Sequence, residues 1–413
     1  MNPLSLMNVS ILDIERAAKT LEPIIKSTSM EKSLSASALC GSEVYLKFEN
    51  AQRTGSFKIR GAFNKIQSLT AEEKRRGVVA SSAGNHAQGV ALSASLAGVE
   101  STVVMPRTAS LSKIDATKSY GAQVVLQGEI YDEAFDYAKK LEKERGLSFV
   151  HPYEDEQVIA GQGTIGLEIH DAVPDLDTVI IPIGGGGLIS GVSIALKTRN
   201  PQIRVVGVQS DQSPGMCDLF HGKVPSLTQR IPSIADGISI KNPSKRMYES
   251  FISKYVDEIV TVSDDEIAEA IVFLLERAKT VTEGSGAAGM AALMKKPLKL
   301  GKKVGVLLCG GNIDLNLVAR IIDRGQIKRG RVAKISVVVS DLPGNLNLLT
   351  QAIAQERANV LEVHHDRVRS SLYLRETQID FVIECTGIEH IQKVKTALGA
   401  VGAKLVDEIS NYK

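Results

Sequence analysis

Short runs of apolar residues alternate with longer amphipathic stretches over the first three quarters of the chain. The runs are rich in Val and Ile, which is typical of strands in a parallel sheet that helices cover on both faces. Helical spacing of apolar positions fills the intervals between them. The clearest runs are 77–81, 102–105, 178–183, 204–208 and 304–308. We therefore predict an α/β region that binds its ligand at the carboxyl ends of these strands.

The pattern changes after a charged, glycine-containing segment at 326–332, which we interpret as a linker. Beyond it the order of strand-like and helical patterns is βαββαβ, the ferredoxin-like arrangement. The strands are predicted at 333–340, 359–366, 378–384 and 404–409, and the helices at 345–355 and 388–398. The sequence thus predicts a first domain over 1–325 and a second domain over 333–413.

The composition excludes several classes of protein. A chain of 413 residues is too long for one hydrophobic core, so more than one domain is expected. The 49 basic and 47 acidic residues are interspersed and give a net charge of only +2, which argues against nucleic acid and membrane surfaces as partners. Aromatic residues make up 4% of the chain, which further weakens a base-stacking role.

Neither the cysteines nor the histidines form a pattern typical of a metal site. The four cysteines are far apart and include no CxxC pair, so we predict neither a disulfide framework nor a structural metal. Residues 1–20 lack a basic start followed by an apolar core, and no apolar run approaches the length of a membrane span. We therefore expect a cytoplasmic enzyme.

A lysine at the start of a predicted helix is the first candidate for chemistry. Ser56 is a plausible N-cap, which would place Lys58 in the first turn of a helix that continues to about Leu69. The positive end of the helix dipole disfavours a charged lysine there, so the pKa of Lys58 is expected to be lowered. A lysine must lose its proton before its amine can attack a carbonyl carbon.

Four glycines in succession, Gly184, Gly185, Gly186 and Gly187, follow an apolar strand and precede a helix that begins near Leu188. Their backbone N–H groups can converge on an anion at the positive end of the helix. The segment lacks the Lys-Ser/Thr of a nucleotide P-loop and the spacing of a dinucleotide fingerprint, so one monophosphate fits best. A lysine and a monophosphate cradle together suggest pyridoxal 5'-phosphate held as a Schiff base.

Three further loops follow strand-like segments: Ser82-Ala83-Gly84-Asn85-His86, Thr282-Glu283-Gly284-Ser285-Gly286-Ala287 and Cys309-Gly310-Gly311-Asn312. The first and the third of these loops, with the segment Ser56-Phe57-Lys58-Ile59-Arg60-Gly61-Ala62 and the four glycines, resemble the threonine dehydratase (threonine ammonia-lyase) family of fold-type II pyridoxal-phosphate enzymes over about residues 10–325. The resemblance implies a two-lobed catalytic region with parallel sheets, in which a small lobe of about 50–155 is inserted in a large lobe.

The resemblance also implies a role for individual residues. Lys58 holds the cofactor covalently and acts as the base at the substrate Cα, while Phe57 lies against the cofactor ring. Asn85 donates to the ring hydroxyl oxygen, Cys309 faces the pyridine nitrogen and Glu283 is a wall residue near the ring. Gly184 to Leu188 bind the phosphate through backbone N–H groups. The substrate carboxylate is received by the loop of Ser82, Ala83, Gly84, Asn85 and His86.

Other readings of the same motifs stay open. Serine racemases share most of these loops but carry a serine acid at the position of Ala83, and a divalent-cation site where this chain has Gln209 and Gly215. A β-replacement synthase and an amino-acid sensor without chemistry are further alternatives. We favour a dehydratase that converts threonine to 2-oxobutanoate and ammonia and serine to pyruvate as a lesser activity.

The loop between the first strand and helix of the C-terminal unit resembles that of ACT regulatory domains. In that family it contacts amino-acid effectors, which here implies Asp341, Leu342, Gly344 and Asn345 as effector-binding residues and isoleucine or valine as the ligand. The alternative is a Pro-Gly turn in a domain that serves only for dimerisation. The resemblance implies regulation in isoleucine biosynthesis, with a catabolic role as the alternative, and a homotetramer.

Overall fold

The computed structural model describes residues 6–225, 233–367 and 372–406. The chain divides into two compact units, Met1–Asp314 and Leu315–Lys413. The division falls ahead of the predicted linker, because the helix before it belongs to the second unit and continues to Lys328. The predicted lobe and domain boundaries stay predictions, and residues 407–409 of the last predicted strand lie outside the described residues.

The first unit is built on two sheets. Ten strands cross its described part: β1 Met30–Lys32, β2 Glu43–Lys47, β3 Val78–Ser81, β4 Ser101–Met105, β5 Gln123–Leu126, β6 Ser148–Phe149, β7 Thr178–Pro182, β8 Arg204–Ser210, β9 Glu258–Val262 and β10 Lys303–Leu307. The larger sheet has the order β1-β2-β10-β7-β8-β9, in which only the β1–β2 pair is antiparallel. The smaller sheet, β5-β4-β3-β6, is parallel throughout. These sheets confirm the predicted α/β fold class.

Helices separate nearly all of these strands. Those of the first unit are α1 Ile11–Leu21, α2 Leu34–Cys40, α3 Lys58–Gln67, α4 Ala71–Arg76, α5 Asn85–Leu96, α6 Leu111–Ser119, α7 Tyr131–Arg145, α8 Glu156–Ala172, α9 Gly187–Arg199, α10 Gly215–Phe220, α11 Lys245–Met247, α12 Ser253–Tyr255, α13 Asp264–Phe273 and α14 Gly284–Lys295. Along β7 every residue is buried, as a strand covered on both faces requires. Among the described residues, no helix has the length and apolar character needed to cross a bilayer.

The second unit contains the predicted antiparallel sheet. Its helices are α15 Leu315–Lys328, α16 Asn345–Gln355 and α17 Ile388–Ala400, and its strands are β11 Val332–Ser340, β12 Asn359–Asp366, β13 Glu376–Glu384 and β14 Lys404–Val406. The sheet order is β12-β13-β11-β14, with all pairs antiparallel. Alternate residues of β11 and β13 form one buried core with the inner faces of α16 and α17. From β11 onward the elements have the predicted βαββαβ order.

The loops with candidate chemistry lie where strands end in the first unit. Residues 82–84 connect β3 to α5, residues 183–186 connect β7 to α9, and residues 308–312 follow β10. An isolated antiparallel bridge joins Ser56 to Gly310, and the Phe57 N–H donates to the Cys309 carbonyl at 3.3 Å. The segment before α3 is therefore attached directly to the loop that follows β10.

Candidate active site

Lys58 is the first residue of α3, but the helix begins differently from the prediction. Phe57 occupies the N-cap position in αR conformation and makes no side-chain capping bond. The prediction that Ser56 caps the helix is wrong, because the Ser56 backbone pairs with Gly310 and its buried Oγ has no hydrogen-bond partner. The backbone bridge, rather than a hydroxyl cap, therefore fixes the position of Lys58 at the start of α3.

The Lys58 side chain is half-buried, and its amine is held in place by neighbouring groups. Its Nζ donates to the carbonyl oxygen of Pro152 at 3.0 Å and lies 5.2 Å from the centroid of the Phe57 ring. Burial lowers the pKa of Lys58 to about 8. A far larger share of this amine is neutral near pH 7 than of an ordinary lysine, which makes it suited to nucleophilic attack.

The four glycines are required by close packing rather than by flexibility alone. Gly186 has φ +97°, a left-handed conformation that glycine adopts without strain. A Cβ on Gly185 would overlap the ring of Tyr153, and one on Gly187 would lie 2.9 Å from the Tyr153 Cα. A Cβ on Gly184 would lie 3.1 Å from the Gly237 carbonyl oxygen. The backbone of this loop is therefore fixed against Tyr153 on one side and Gly237 on another.

This glycine loop also presents unused hydrogen-bond donors. No acceptor among the described residues meets the backbone N–H of Gly185, Gly186, Gly187 or Leu188, and α9 has no side-chain cap. Orphan N–H groups at the positive end of a 13-residue helix form a ready anion site. The arrangement suits a phosphate, as the sequence predicts.

The loop from Ser82 to His86 leads into α5 and forms a second helix start with unused backbone N–H groups. The Ser82 Oγ accepts from the Gly84 N–H at 3.2 Å, and the N–H groups of Asn85 and His86 meet no acceptor among the described residues. A Cβ on Gly84 would meet nothing within 4 Å, so the loop is open on that side. Ala83 packs against the apolar cluster of the smaller sheet.

His86 is neutral and fixed in place. Its Nε2 donates to the Val150 carbonyl oxygen at 2.8 Å, because a carbonyl can only accept. Burial, together with the charge on Lys58, lowers the pKa of His86 to about 3. The histidine side chain is therefore a structural anchor, and the anion-binding groups of this loop are its backbone donors and Ser82.

Asn85 is held between two side chains from distant parts of the chain. Its Nδ2 donates to Glu283 Oε1 at 2.6 Å, and its Oδ1 accepts from Asn312 Nδ2 at 2.7 Å. Burial raises the pKa of Glu283 to about 8, and Asp236 adds to the shift. Glu283 is thus largely a neutral carboxylic acid at pH 7.

Cys309 is buried at the end of β10 and carries a neutral thiol. Its Sγ lies 3.4 Å from the Ser285 carbonyl oxygen. Burial, with a further contribution from Glu283, raises the pKa of Cys309 well above its usual range. The site therefore offers a polar but uncharged sulfur beside the Lys58 amine. Among the described residues, no cluster of His, Cys, Asp and Glu is suited to a metal ion.

Sequence reasoning missed a buried network of charges around Arg60, two residues beyond Lys58. Arg60 is fully buried and donates to Glu49 at 2.7 and 2.8 Å and to Glu168 at 2.6 and 3.0 Å. Lys47 joins Glu168 at 2.5 Å. Two signals were available in the sequence. Charged residues stand at Lys47 and Glu49 near the end of the strand pattern, and the lysine motif contains a second cation, Arg60.

Tyr153 and the pair of Lys113 and Asp236 were also missed. Lys113 Nζ lies 2.6 Å from Asp236 Oδ2, which joins α6 beside the smaller sheet to the 3₁₀ turn Asp236–Ile238. A Cβ on Gly237 would lie 2.8 Å from Ser285 Oγ, so the same turn also packs against the start of α14. No local sequence pattern distinguishes these residues from ordinary surface and aromatic positions.

The comparisons with known proteins agree with this geometry. A family model described as pyridoxal-phosphate dependent enzyme matches residues 21–310. An L-threonine ammonia-lyase of Thermotoga maritima is 48% identical over 395 residues, 95% of this chain and 98% of the relative. The chain belongs to the threonine ammonia-lyase family of pyridoxal-phosphate-dependent enzymes.

Other members of this family, and of its structural class, are similar over about three quarters of the chain. A catabolic L-threonine dehydratase of Staphylococcus aureus is 47% identical over 323 residues, 77% of this chain and 93% of the relative. The structure of maize serine racemase has a TM-score of 0.72 and 33% identity, and covers 78% of this chain and 99% of the racemase. The family's cofactor is pyridoxal phosphate, and the resemblance stated from the motifs is confirmed.

The residues present fit that cofactor. The orphan N–H groups of Gly185 to Leu188 match a phosphate, and the Lys58 amine, with its lowered pKa, matches an aldehyde. The buried hydroxyls Ser190 Oγ and Ser285 Oγ have no hydrogen-bond partner among the described residues, which is costly unless a ligand or water meets them. The site therefore offers protein groups that are complementary to both ends of a phosphorylated aromatic aldehyde.

Proposed function

We propose that the protein converts L-threonine to 2-oxobutanoate and ammonia, with L-serine as a lesser substrate that yields pyruvate. The observation that carries the proposal is the half-buried Lys58 amine, with its Nζ held 3.0 Å from the Pro152 carbonyl oxygen and its pKa lowered to about 8. Identity of 48% to an L-threonine ammonia-lyase supports threonine as the substrate. The net change is loss of one water, uptake of one water and release of ammonia.

Each group in the site has a proposed binding role. The N–H groups of Gly184 to Leu188 bind the cofactor phosphate, and Phe57 packs against the ring. The amide of Asn85 donates to the ring oxygen, with Glu283 as the adjoining wall. When bound, pyridoxal phosphate supplies an electron-withdrawing ring that makes the hydrogen on the substrate Cα acidic.

The substrate carboxylate has a proposed site at the start of α5. Ser82 Oγ and the backbone N–H groups of residues 83–86 bind it, which orients the Cα–H bond towards Lys58. The support for this role is that the N–H groups of Asn85 and His86 meet no acceptor among the described residues. Because burial lowers the pKa of His86 to about 3, this histidine adds no positive charge to the site at neutral pH.

Lys58 and Cys309 have proposed roles in proton transfer. Lys58 takes the proton from the substrate Cα, for which a pKa near 8 is well matched at neutral pH. Burial raises the pKa of the Cys309 thiol well above its usual range. The thiol therefore stays neutral and places no negative charge beside the ring nitrogen. Without a carboxylate there, the ring nitrogen is not held protonated, which favours prompt loss of the β-hydroxyl over stereochemical inversion.

Racemisation is the second candidate, since the structure of maize serine racemase covers 78% of this chain at a TM-score of 0.72. Ala83 argues against it, because a methyl group packed on the apolar cluster cannot return a proton to the opposite face of Cα. Gln209 and Gly215 argue against the racemase cation site: Gln209 Oε1 is 2.8 Å from the Cys217 N–H, and a Cβ on Gly215 would lie 2.9 Å from Pro243.

The test is release of 2-oxo acid from L-threonine by the purified holoenzyme, with D-serine formation from L-serine measured on the same sample. We expect 2-oxobutanoate, and we expect Lys58→Ala to lower its rate by at least about a hundredfold. Lys65→Ala is the matched control, because Lys65 lies on the same helix but pairs with Asp155 at 2.7 Å. D-serine without 2-oxo acid would contradict the proposal.

We also propose that the second unit is an ACT-like regulatory domain that binds isoleucine or valine through Asp341, Leu342, Gly344 and Asn345. Supporting features are the exposed Leu342 side chain, the φ of +94° at Gly344 and the bond from Asn345 Nδ2 to the Ser340 carbonyl at 2.7 Å, which orders the turn. Asp341 pairs with Arg367 at 3.2 Å, a contact that an effector's charged groups would have to replace.

The biological setting follows from that regulation. We propose a cytoplasmic homotetramer in isoleucine biosynthesis, with the catabolic role of the Staphylococcus aureus relative as the alternative. Isoleucine is expected to lower the rate on threonine, and Asp341→Ala to abolish that inhibition while leaving the uninhibited rate unchanged. The subunit number is measured by light scattering. A rate independent of isoleucine and valine at millimolar concentration would contradict regulation through this domain.

A further inference from the structure

Asn312 lies at the end of the loop that follows β10 and touches both sides of the site. Its Nδ2 donates to the Thr54 carbonyl oxygen at 2.8 Å and to Asn85 Oδ1 at 2.7 Å. Its amide also packs against Gly55, which has φ +68° and where a Cβ would overlap Asn312 Oδ1. The side chain thus connects the segment before Lys58 to the first residue of α5.

The hydrogen-bond partners fix which way each amide faces. A backbone carbonyl can only accept, so the group that Asn312 directs at Thr54 must be its NH₂. The same NH₂ carries a second hydrogen, which meets Asn85, so the atom of Asn85 on that side must be its oxygen. The Asn85 nitrogen is therefore on the other side, 2.6 Å from Glu283.

We propose that Asn312 is a positioning residue that sets the Asn85 amide, so that the Asn85 N–H rather than its C=O faces the cofactor ring oxygen. The inference rests on the proposed function, in which Asn85 donates to that oxygen. One hydrogen of the Asn85 NH₂ meets Glu283, and the second is free for the cofactor. An inverted amide would place a carbonyl oxygen against the ring oxygen and repel it.

Asn312→Asp tests the orientation with almost no change of shape. A carboxylate cannot donate to Thr54, and the Asn85 amide would turn to donate to it, so the Asn85 oxygen would face the site. We expect the affinity of the apoprotein for pyridoxal 5'-phosphate, measured by equilibrium dialysis, to fall about tenfold, as loss of one hydrogen bond and gain of one repulsion imply. The pH at which the visible absorbance of the bound cofactor changes should shift as well.

Asn50→Asp is the matched control. The Asn50 Nδ2 also donates to a backbone carbonyl, that of Val281 at 2.8 Å, and to Thr280 Oγ1 at 2.7 Å, and Asn50 packs near the same loop. The change therefore costs similar local hydrogen bonding without reaching Asn85. We expect Asn50→Asp to lower the free energy of unfolding of the apoprotein but to leave the absorbance pH profile and the cofactor affinity within about twofold.

A double-mutant cycle decides whether Asn312 acts through Asn85. In an Asn85→Ala background, or Asn85→Ser should the alanine variant not fold, Asn312→Asp should cause no further loss of cofactor affinity. An equal tenfold loss in both backgrounds would overturn the inference and indicate a structural role only. Wild-type protein that binds no cofactor would instead contradict the proposed function, so the two failures are distinguishable.

Discussion

Asn85 Nδ2 lies 2.6 Å from Glu283 Oε1, although the two residues are 198 positions apart in the chain. The contact joins the first residue of α5, beside the smaller sheet, to the residue before α14, which packs on the larger sheet. Glu283 is also close to Gly310, where a Cβ would overlap its Oε1. The carboxyl group thus lies between the loop that leads into α5 and the loop that follows β10.

Replacement of Glu283 should change how stability depends on pH. Burial raises the pKa of Glu283 from 4.5 to about 8, so between these values the folded protein binds a proton that the unfolded chain has released. The free energy of unfolding of the apoprotein should therefore decrease as pH rises from about 4.5 to 8. Glu283→Gln should remove this component and flatten the profile, as measured by urea unfolding at several pH values.

The control for that profile is Glu144→Gln. Glu144 forms an exposed i,i+4 pair with Lys140, and exposed pairs contribute little to stability. Its profile should match that of the wild type. A Glu283→Gln profile that also matched the wild type would show that Glu283 is ionised throughout the range.

Alanine at Gly187 should weaken cofactor binding. A Cβ there would lie 2.9 Å from the Tyr153 Cα, which is backbone and cannot move aside without shifting the loop. We expect the dissociation constant for pyridoxal 5'-phosphate to rise at least tenfold, because the N–H groups would lose their alignment, and stability to fall by about 1–3 kcal/mol. Cofactor titration of the apoprotein by absorbance measures the first effect.

Gly399→Ala is the control for the glycine loop. Gly399 lies in α17, and a Cβ there would meet nothing within 4 Å. Alanine inside a helix is expected to be neutral or to stabilise by about 0.5–1 kcal/mol. Cofactor affinity should be unchanged. Equal affinities of the Gly187→Ala variant and the wild type would argue against phosphate binding by this loop.

The buried charge network should be a large contributor to folding. Burial would raise the pKa of Glu49, but Arg60, Thr28 and Lys47 together hold it below its usual value. Arg60→Met would leave two carboxylates without their main partner, which typically costs about 3–5 kcal/mol. Guanidinium unfolding of the apoprotein measures the loss, with Arg75→Met at the exposed end of α4 as a control that should change little. A loss as small as that of the control would mean that the network contributes no net stability.

Much of the fold was open to prediction because each apolar run is shorter than a helix and is bounded by turn residues. The short strand β1, Met30–Lys32, was not predicted, because three residues show no period of their own. They pair with β2 because the antiparallel register of Met30 with Lys47 supplies hydrogen bonds that local propensity does not reveal.

The site was only partly predictable for a related reason. Lys58, the glycine loop and Cys309 each follow or precede a strand, and the strand order brings such loops together. The contacts of Tyr153 with Gly185, and of Asn312 with Asn85, depend on side chains that meet only after the helices have packed. The helix start at Lys58 was misplaced by one residue because a backbone bridge replaces the expected serine cap.

The central claim is that the Lys58 amine carries the cofactor. Borohydride reduction of the holoenzyme converts any lysine-bound pyridoxal phosphate to a stable adduct on that lysine. Proteolysis and mass spectrometry then identify the modified residue. We predict a single phosphopyridoxyl group on the peptide that contains Lys58, and none after the same treatment of Lys58→Ala. The label on a different lysine, or no label on protein that retains the cofactor, would contradict the account.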